Sequence, residues 1–127
     1  CLAVCPWNKF AQIGRDAKFA ARDALRAPKL SELVRLDDAQ FRSLFAKTAV
    51  KRTGRDRFVR NVLIAIGNSG DISLAPEAER LLDDASPLVR GAAVWALSRL
   101  LKREKLATLR KSDADSSVND EWTEALA

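Results

Sequence analysis

A chain of 127 residues, 47% hydrophobic and 31% charged, carries enough apolar material for one soluble domain, or one domain with a short arm. It has no histidine, tyrosine or methionine, which removes the usual general base, the commonest zinc ligand and every Ser-His-Asp or Cys-His arrangement, and argues against catalysis by this chain alone. No apolar run approaches the roughly 18 residues of a membrane span and no basic-then-apolar start marks an export signal, so the expectation is a cytoplasmic protein without membrane contact. The net charge of +5 is uneven, at +8 over residues 1–60 and −3 over residues 61–127.

The chain opens on CLAVCPWN, placing Cys1 and Cys5 in a C-x3-C-P pattern. Bacterial-type ferredoxins use C-x2-C-x2-C-x3-C-P, and the last cysteine of such a run ligates the other of two clusters. Thiolate sulfur suits iron-sulfur clusters, and the proline fits the end of the motif. Cys1 and Cys5 are therefore expected to be metal ligands whose partners lie on polypeptide before residue 1. A small disulfide loop or two incidental thiols are the alternatives. Trp7 either shields such a cluster or anchors a domain contact. Residues 1–27 show no clear amphipathic period and are expected to form the tail of an iron-sulfur domain and a linker arm with a single helical turn.

Pro28 opens a short helix over KLSELVRL, and Asp37 or Asp38 caps a second, AQFRSLFAKTAV, with Phe41, Leu44 and Phe45 on one face. Residues 47–60, KTAVKRTGRDRFVR, hold six basic residues against Asp56 alone. Within them begins an apolar helix, RDRFVRNVLIAIG, with Phe58, Val59, Val62, Leu63 and Ile66 at helical spacing, stopping at the turn-forming GNSG of residues 67–70. Its partner is APEAERLLDD. Ser86 and Pro87 then supply an N-cap and a first-turn proline for LVRGAAVWALSRLL. Its small residues Gly91, Ala92, Ala93 and Ala96 let a neighbouring helix approach closely, and Trp95 is the one large knob. REKLATLRK forms a shorter helix. DADSSVNDEWTEAL forms the last, with caps available at residues 115–117.

Val59-Arg60, Val89-Arg90 and Val118-Asn119 recur at intervals of 30 and 29 residues, early in successive helices. Helix pairs that cannot bury their apolar faces alone stack into a short solenoid with an atypical, polar terminal repeat. The segment SPLVRGAAVWAL resembles HEAT-like repeats, where D/S-P-x-V-R is followed by small residues and A-L. The expected architecture is all-α: HEAT-like repeats over residues 28–127, preceded by the tail of a ferredoxin-like domain over residues 1–27.

Positive charge concentrates at residues 47–60 and again at 99–111, where six basic residues oppose Glu104 alone, whereas residues 112–127 carry five acidic and no basic groups. Lys51, Arg52, Arg55, Arg57 and Arg60 cluster around a helix start, where side-chain cations and free N–H groups both favour phosphate. That points to salt-dependent binding of a polyanion without sequence reading. Arg60 and Arg90 divide between this role and pairing with an acidic group of the next repeat. The carboxylate pairs Asp37-Asp38 and Asp83-Asp84 read as helix caps. A continuous ridge joining the two basic segments favours RNA; scattered charge favours a protein-interaction scaffold. A simple electron-transfer fragment would leave the helical repeats without a purpose.

Together CLAVCPWNKFAQ, FAKTAVKRTGRDRFVRNVLIAIGNSGD and SPLVRGAAVWALSRL resemble the carboxy-terminal part of bacterial epoxyqueuosine reductases, up to about residue 101. VKRTGRDRFVRN and IAIGN are more specific than the cysteine pair. The resemblance implies reduction of epoxyqueuosine to queuosine at the wobble position of certain transfer RNAs, using cobalamin and two [4Fe-4S] clusters. It places the cobalamin domain and most of the ferredoxin-like domain in an amino-terminal half that this chain lacks. Cys1 would be the third and Cys5 the final cysteine of the second cluster motif, each ligating a different cluster. The repeats would help to hold transfer RNA, with Lys51, Arg52, Arg55 and Arg57 on phosphates, Arg60 beside them and Lys9 nearer the cluster region. The resemblance implies transfer RNA and the missing half as partners, and the chain is expected to be a monomer.

Overall fold

The central element is the helix α5, Pro87–Leu100, which buries Val89, Ala93, Val94, Ala96, Leu97 and Leu100. So wide an apolar surface on one helix requires neighbours on several sides. In the computed structural model, which describes residues 4–12 and 22–127, the other helices are α1 (Leu30–Leu33), α2 (Asp38–Leu44), α3 (Arg55–Ser69), α4 (Ala75–Arg80), α6 (Arg103–Leu109) and α7 (Ser116–Leu126). No strand occurs among the described residues. α5 packs against α3 and α7 within one layer, and against α4, its 3-10 continuation Leu81–Asp83, and α6. α1 and α2 close the other side of α3.

The helices begin where the sequence supplies the means. Asp37 accepts from the Gln40 N–H at 2.7 Å while the Gln40 side chain accepts from the Asp37 N–H, a reciprocal capping box that starts α2. Pro87 stands at the first position of α5, but Ser86 caps nothing through its hydroxyl. Instead Asp84 accepts from the Ser86 N–H at 3.0 Å. α3 runs through Gly67 and ends at Gly70, whose φ of 67° terminates it in the left-handed region. The expected turn at residues 67–70 is thus its last residue only. The arm contains two 3-10 turns among its described residues, Pro6–Phe10 and Asp23–Leu25. Arg22 fastens it by donating to the carbonyls of Leu44 and Ala46 at 3.1 and 2.8 Å, where α2 ends.

α3 and α5 run the same way. The late residue Gly67 touches Trp95 and Ala96, late in α5, while Gly54 and Arg57 share a surface hollow with Ser86 and Leu88 at its start. α7 follows suit. Arg90 near the start of α5 pairs with Asp113 just before α7, and Arg103 just after α5 donates to the carbonyl of Ala127 at 2.9 Å. Val59, Val89 and Val118 occupy equivalent buried positions. The aromatic cluster of Phe41, Phe45 and Phe58 joins α2 to α3, with ring centroids 4.8 to 5.3 Å apart. Trp122, 1% exposed, anchors α7.

Candidate nucleic-acid interface

The 3-10 turn Ala49–Thr53 leads into Gly54, whose φ of 78° turns the chain into α3. No side chain caps α3, so its first N–H groups have no side-chain acceptor. Lys47, Lys51, Arg52 and Arg57 are exposed and make no ion pair or hydrogen bond through their side chains among the described residues. Acidic groups are close by: Asp38 and Asp56 line the same polar hollow as Gly54 and Arg57.

Arg55 is placed differently from its neighbours. Its side chain, 16% exposed, grips Asp84 with Nη1 at 3.0 Å and Nη2 at 2.7 Å, and Nε donates to the Leu36 carbonyl at 3.1 Å. Burial alone would push the Asp84 carboxyl up, but the Arg55 contact and the Ser86 N–H outweigh it and hold it below the usual carboxylate range. Arg55 thus joins α3 to the turn before α5, and its guanidinium is committed to that turn.

Arg90 does the equivalent work one step along. Nε and Nη2 meet the two oxygens of Asp113 at 2.7 and 2.8 Å, and Nη1 donates to the carbonyls of Asp84 and Ala85. The Arg90 hydrogen bonds, aided by the Asp115 N–H, hold the Asp113 carboxyl at about 2. Early in α7, 29 residues after Arg90, Asn119 donates through its amide to the carbonyls of Asp113 and Asp115 at 2.7 and 3.1 Å. Arg60, at the matching position of α3, bonds only to the Asn61 side chain, at 2.9 and 3.2 Å. Long-range pairing with an acidic group therefore belongs to Arg55 and Arg90, and not to Arg60. Reading Asp84 as a cap captured its bond to Ser86 but missed Arg55. The signal was the recurrence of Asp-Ala at residues 84 and 113, 29 residues apart like the valines.

The cations of the second basic segment are divided between paired and exposed positions. Lys111 is paired with Asp83, Arg103 is taken up by the last carbonyl, and Arg99, Lys102, Lys105 and Arg110 are exposed. None of them lines either hollow between the α3, α5 and α7 helices. The hollow at the other end of Leu88, about 360 Å³, is lined by Gly91, Ala92, Trp95 and Leu88 of α5, with Arg60 of α3 and Glu121 of α7.

In the arm, Lys9 lies 5.0 Å from the Phe10 ring centroid, and Trp7 and Phe10 are exposed, 6.0 Å apart. Cys5 is an exposed free thiol, and Cys1 lies outside the described residues. Among the described residues no three His, Cys, Asp or Glu side chains converge as a metal site. One thiol does not fit the four-thiolate set that a four-iron cluster needs, so the described part of this chain forms no such site by itself. No helix among the described residues is long and apolar enough to cross a membrane.

No family model matches the chain. It is 37% identical over 102 residues to the epoxyqueuosine reductase of Xanthomonas campestris, covering 78% of this chain and 28% of that protein. It is 32% identical to that of Salmonella typhimurium, covering 81% and 27%. The chain thus spans about a quarter of the length of these curated relatives. Among solved structures, a selenomethionine-labelled epoxyqueuosine reductase matches with a TM-score of 0.87 at 23% identity, over 98% of this chain and 34% of that one. An epoxyqueuosine reductase bound to an epoxyqueuosine-modified tRNA-Tyr stem loop matches at 0.86 and 23%, with the same coverage. By sequence, with the fold in agreement, this chain is related to the epoxyqueuosine reductases and fits a carboxy-terminal fragment of one.

Proposed function

We propose that this chain is the RNA-holding portion of an epoxyqueuosine reductase, and that it contributes to reduction of epoxyqueuosine to queuosine in transfer RNA by gripping the substrate backbone. The observation that carries this reading is the set of cations at the start of α3, Lys51, Arg52 and Arg57 with Lys47, exposed and without carboxylate partners beside uncapped N–H groups. The other strongly placed cations, Arg35, Arg55 and Arg90, are spent on Glu77, Asp84 and Asp113. Unpaired cations at a helix start favour phosphate, and contacts of this kind position RNA without reading its sequence. The stem-loop complex of a structurally similar enzyme supports the same choice of partner.

In this reading residues 28–127 form HEAT-like repeats, which the equivalent positions of Val59, Val89 and Val118 support. Residues 1–27 form the tail of a ferredoxin-like domain, with Cys1 and Cys5 each completing the ligand set of a [4Fe-4S] cluster whose other thiolates come from the rest of the protein. Cobalamin belongs to a domain outside this chain. Lys51, Arg52 and Arg57 contact phosphate, Arg60 and Lys9 extend the footprint, and Arg55 positions the others by fixing the start of α3. The protein acts in the cytoplasm as a monomer.

The test is transfer RNA binding by the 127-residue chain as a function of salt. Affinity should fall steeply between about 50 and 200 mM salt, and each of Lys51→Ala, Arg52→Ala and Arg57→Ala should reduce the slope of log K against log salt by about one. Salt-insensitive binding, or unchanged slopes in the variants, refutes the assignment.

A further inference from the structure

The hollow between α3, α5 and α7 is unlike the rest of this face. Ile64 and Leu88 are 39% and 41% exposed there, beside the half-buried Trp95. A β-carbon on Gly91 would meet nothing within 4 Å, so the hollow is open to a ligand there. Its volume of about 360 Å³ lies in the range of small-molecule sites. Leu88 also lines the hollow that holds Arg57 and the start of α3, so the two are neighbours.

We infer that this hollow takes one unstacked nucleotide of the bound RNA, its phosphate on the Arg60 side and its base over Gly91 and Ala92 with the hydrogen-bonding edge towards Glu121. The inference rests on the RNA-binding reading above. Charge selects the occupant. α7 lines the hollow with Ser117 and Glu121, and residues 112–127 hold no basic group, so a phosphate backbone is repelled from that side. Arg60 stands on the opposite side, on α3. A nucleotide has this same polarity: an anionic end, and an uncharged planar end carrying N–H donors. Burial, reinforced by Glu124, pushes the Glu121 carboxyl up, and base N–H donors would compensate such a group. Guanine offers two adjacent donors and is the best match for a carboxylate. Apolar and aromatic surface beside cations is the usual platform for an unstacked base.

The experiment compares an RNA hairpin having an unpaired, guanine-containing loop with a fully paired duplex of equal length, both titrated into the whole chain. Wild type should bind the hairpin at least about fivefold more tightly, the low end of what one stacked base contributes. Gly91→Leu fills the hollow without touching the core and should abolish that preference while leaving duplex affinity and its salt slope unchanged. Gly91→Ala should keep the preference, and Glu121→Gln should weaken it. A hairpin preference that survives Gly91→Leu, or one absent from wild type, overturns the inference and leaves the hollow to a protein partner. Binding too weak or too salt-insensitive to involve phosphates would instead overturn the RNA-binding reading itself.

Discussion

A β-carbon on Gly67 would lie 2.6 Å from Cζ3 of Trp95 and 3.1 Å from the Cα of Ala96, so α3 and α5 touch where one side chain is missing and the other is largest. Alanine is favoured over glycine in a helix by about 1 kcal/mol, but here the added methyl meets both a ring and backbone. Gly67→Ala should therefore destabilise the protein by about 1–3 kcal/mol, read as a fall of roughly 3–5 °C in Tm per kcal/mol. A Tm at or above wild type would show that Trp95 moves aside without cost.

Gly91 predicts the opposite sign on the neighbouring helix. Its β-carbon position is open, and the residue lies in the interior of α5. Gly91→Ala should stabilise by about 0.5–1 kcal/mol through helix propensity alone, measured by urea unfolding with an unchanged m-value.

Arg55 and its exposed neighbours should separate stability from binding. Arg55→Ala strips a nearly buried Asp84, 9% exposed, of its bidentate partner and should cost about 1.5–3 kcal/mol of folding stability. Lys51→Ala and Arg52→Ala, both at exposed positions, should stay within about 0.5 kcal/mol of wild type while weakening RNA binding. Equal stability in all three variants would remove the distinction.

Acid should loosen the turn before α7. The Asp113 carboxyl, held at about 2 by Arg90 and the Asp115 N–H, titrates near 3.8 when unfolded. Its folded value is the lower one, so its stabilisation is complete above about pH 4 and disappears as pH falls through about 2. Thermal melts across that window should show Asp113→Asn losing less Tm on acidification than wild type. Identical acid profiles would locate the sensitivity elsewhere, in Glu77 or Asp84, whose carboxyls are also lowered.

Helical spacing and caps were legible in the sequence because they depend on neighbours along the chain. Pro87, the Asp37 cap and the buried valines at residues 59, 89 and 118 are all local signals of this kind. Long-range geometry was not legible. Arg55 and Arg57 stand two residues apart in one basic run, yet only Arg55 turns inward to a carboxylate 29 residues away. Gly67 reads as a helix terminator beside Asn68, Ser69 and Gly70, and only the closeness of Trp95 explains it inside the helix. The small residues of α5 were expected to admit a neighbour; Ala93 and Ala96 are buried, while Gly91 and Ala92 line an open hollow. Of the second basic segment, the pairing of Lys111 with Asp83, 28 residues away, was equally beyond the reach of local pattern.

The turns at Asp84 and Asp113 take a guanidinium from α3 and α5 respectively, and each offers a carboxylate oxygen to the N–H of the N-cap residue, Ser86 or Asp115, of the helix after. Order therefore passes in one direction. α7 depends on Arg90 of α5, and the start of α5 depends on Arg55 of α3. A chain shortened from its carboxy-terminal end at residue 112 would lose Asp113 but leave the Asp84 turn supplied, whereas one beginning at residue 56 would leave Asp84 without its cation and weaken the start of the central helix. Hydrogen exchange should accordingly show protection in α5 surviving the first truncation better than the second, a polarity that side-by-side stacking of equal units would not produce.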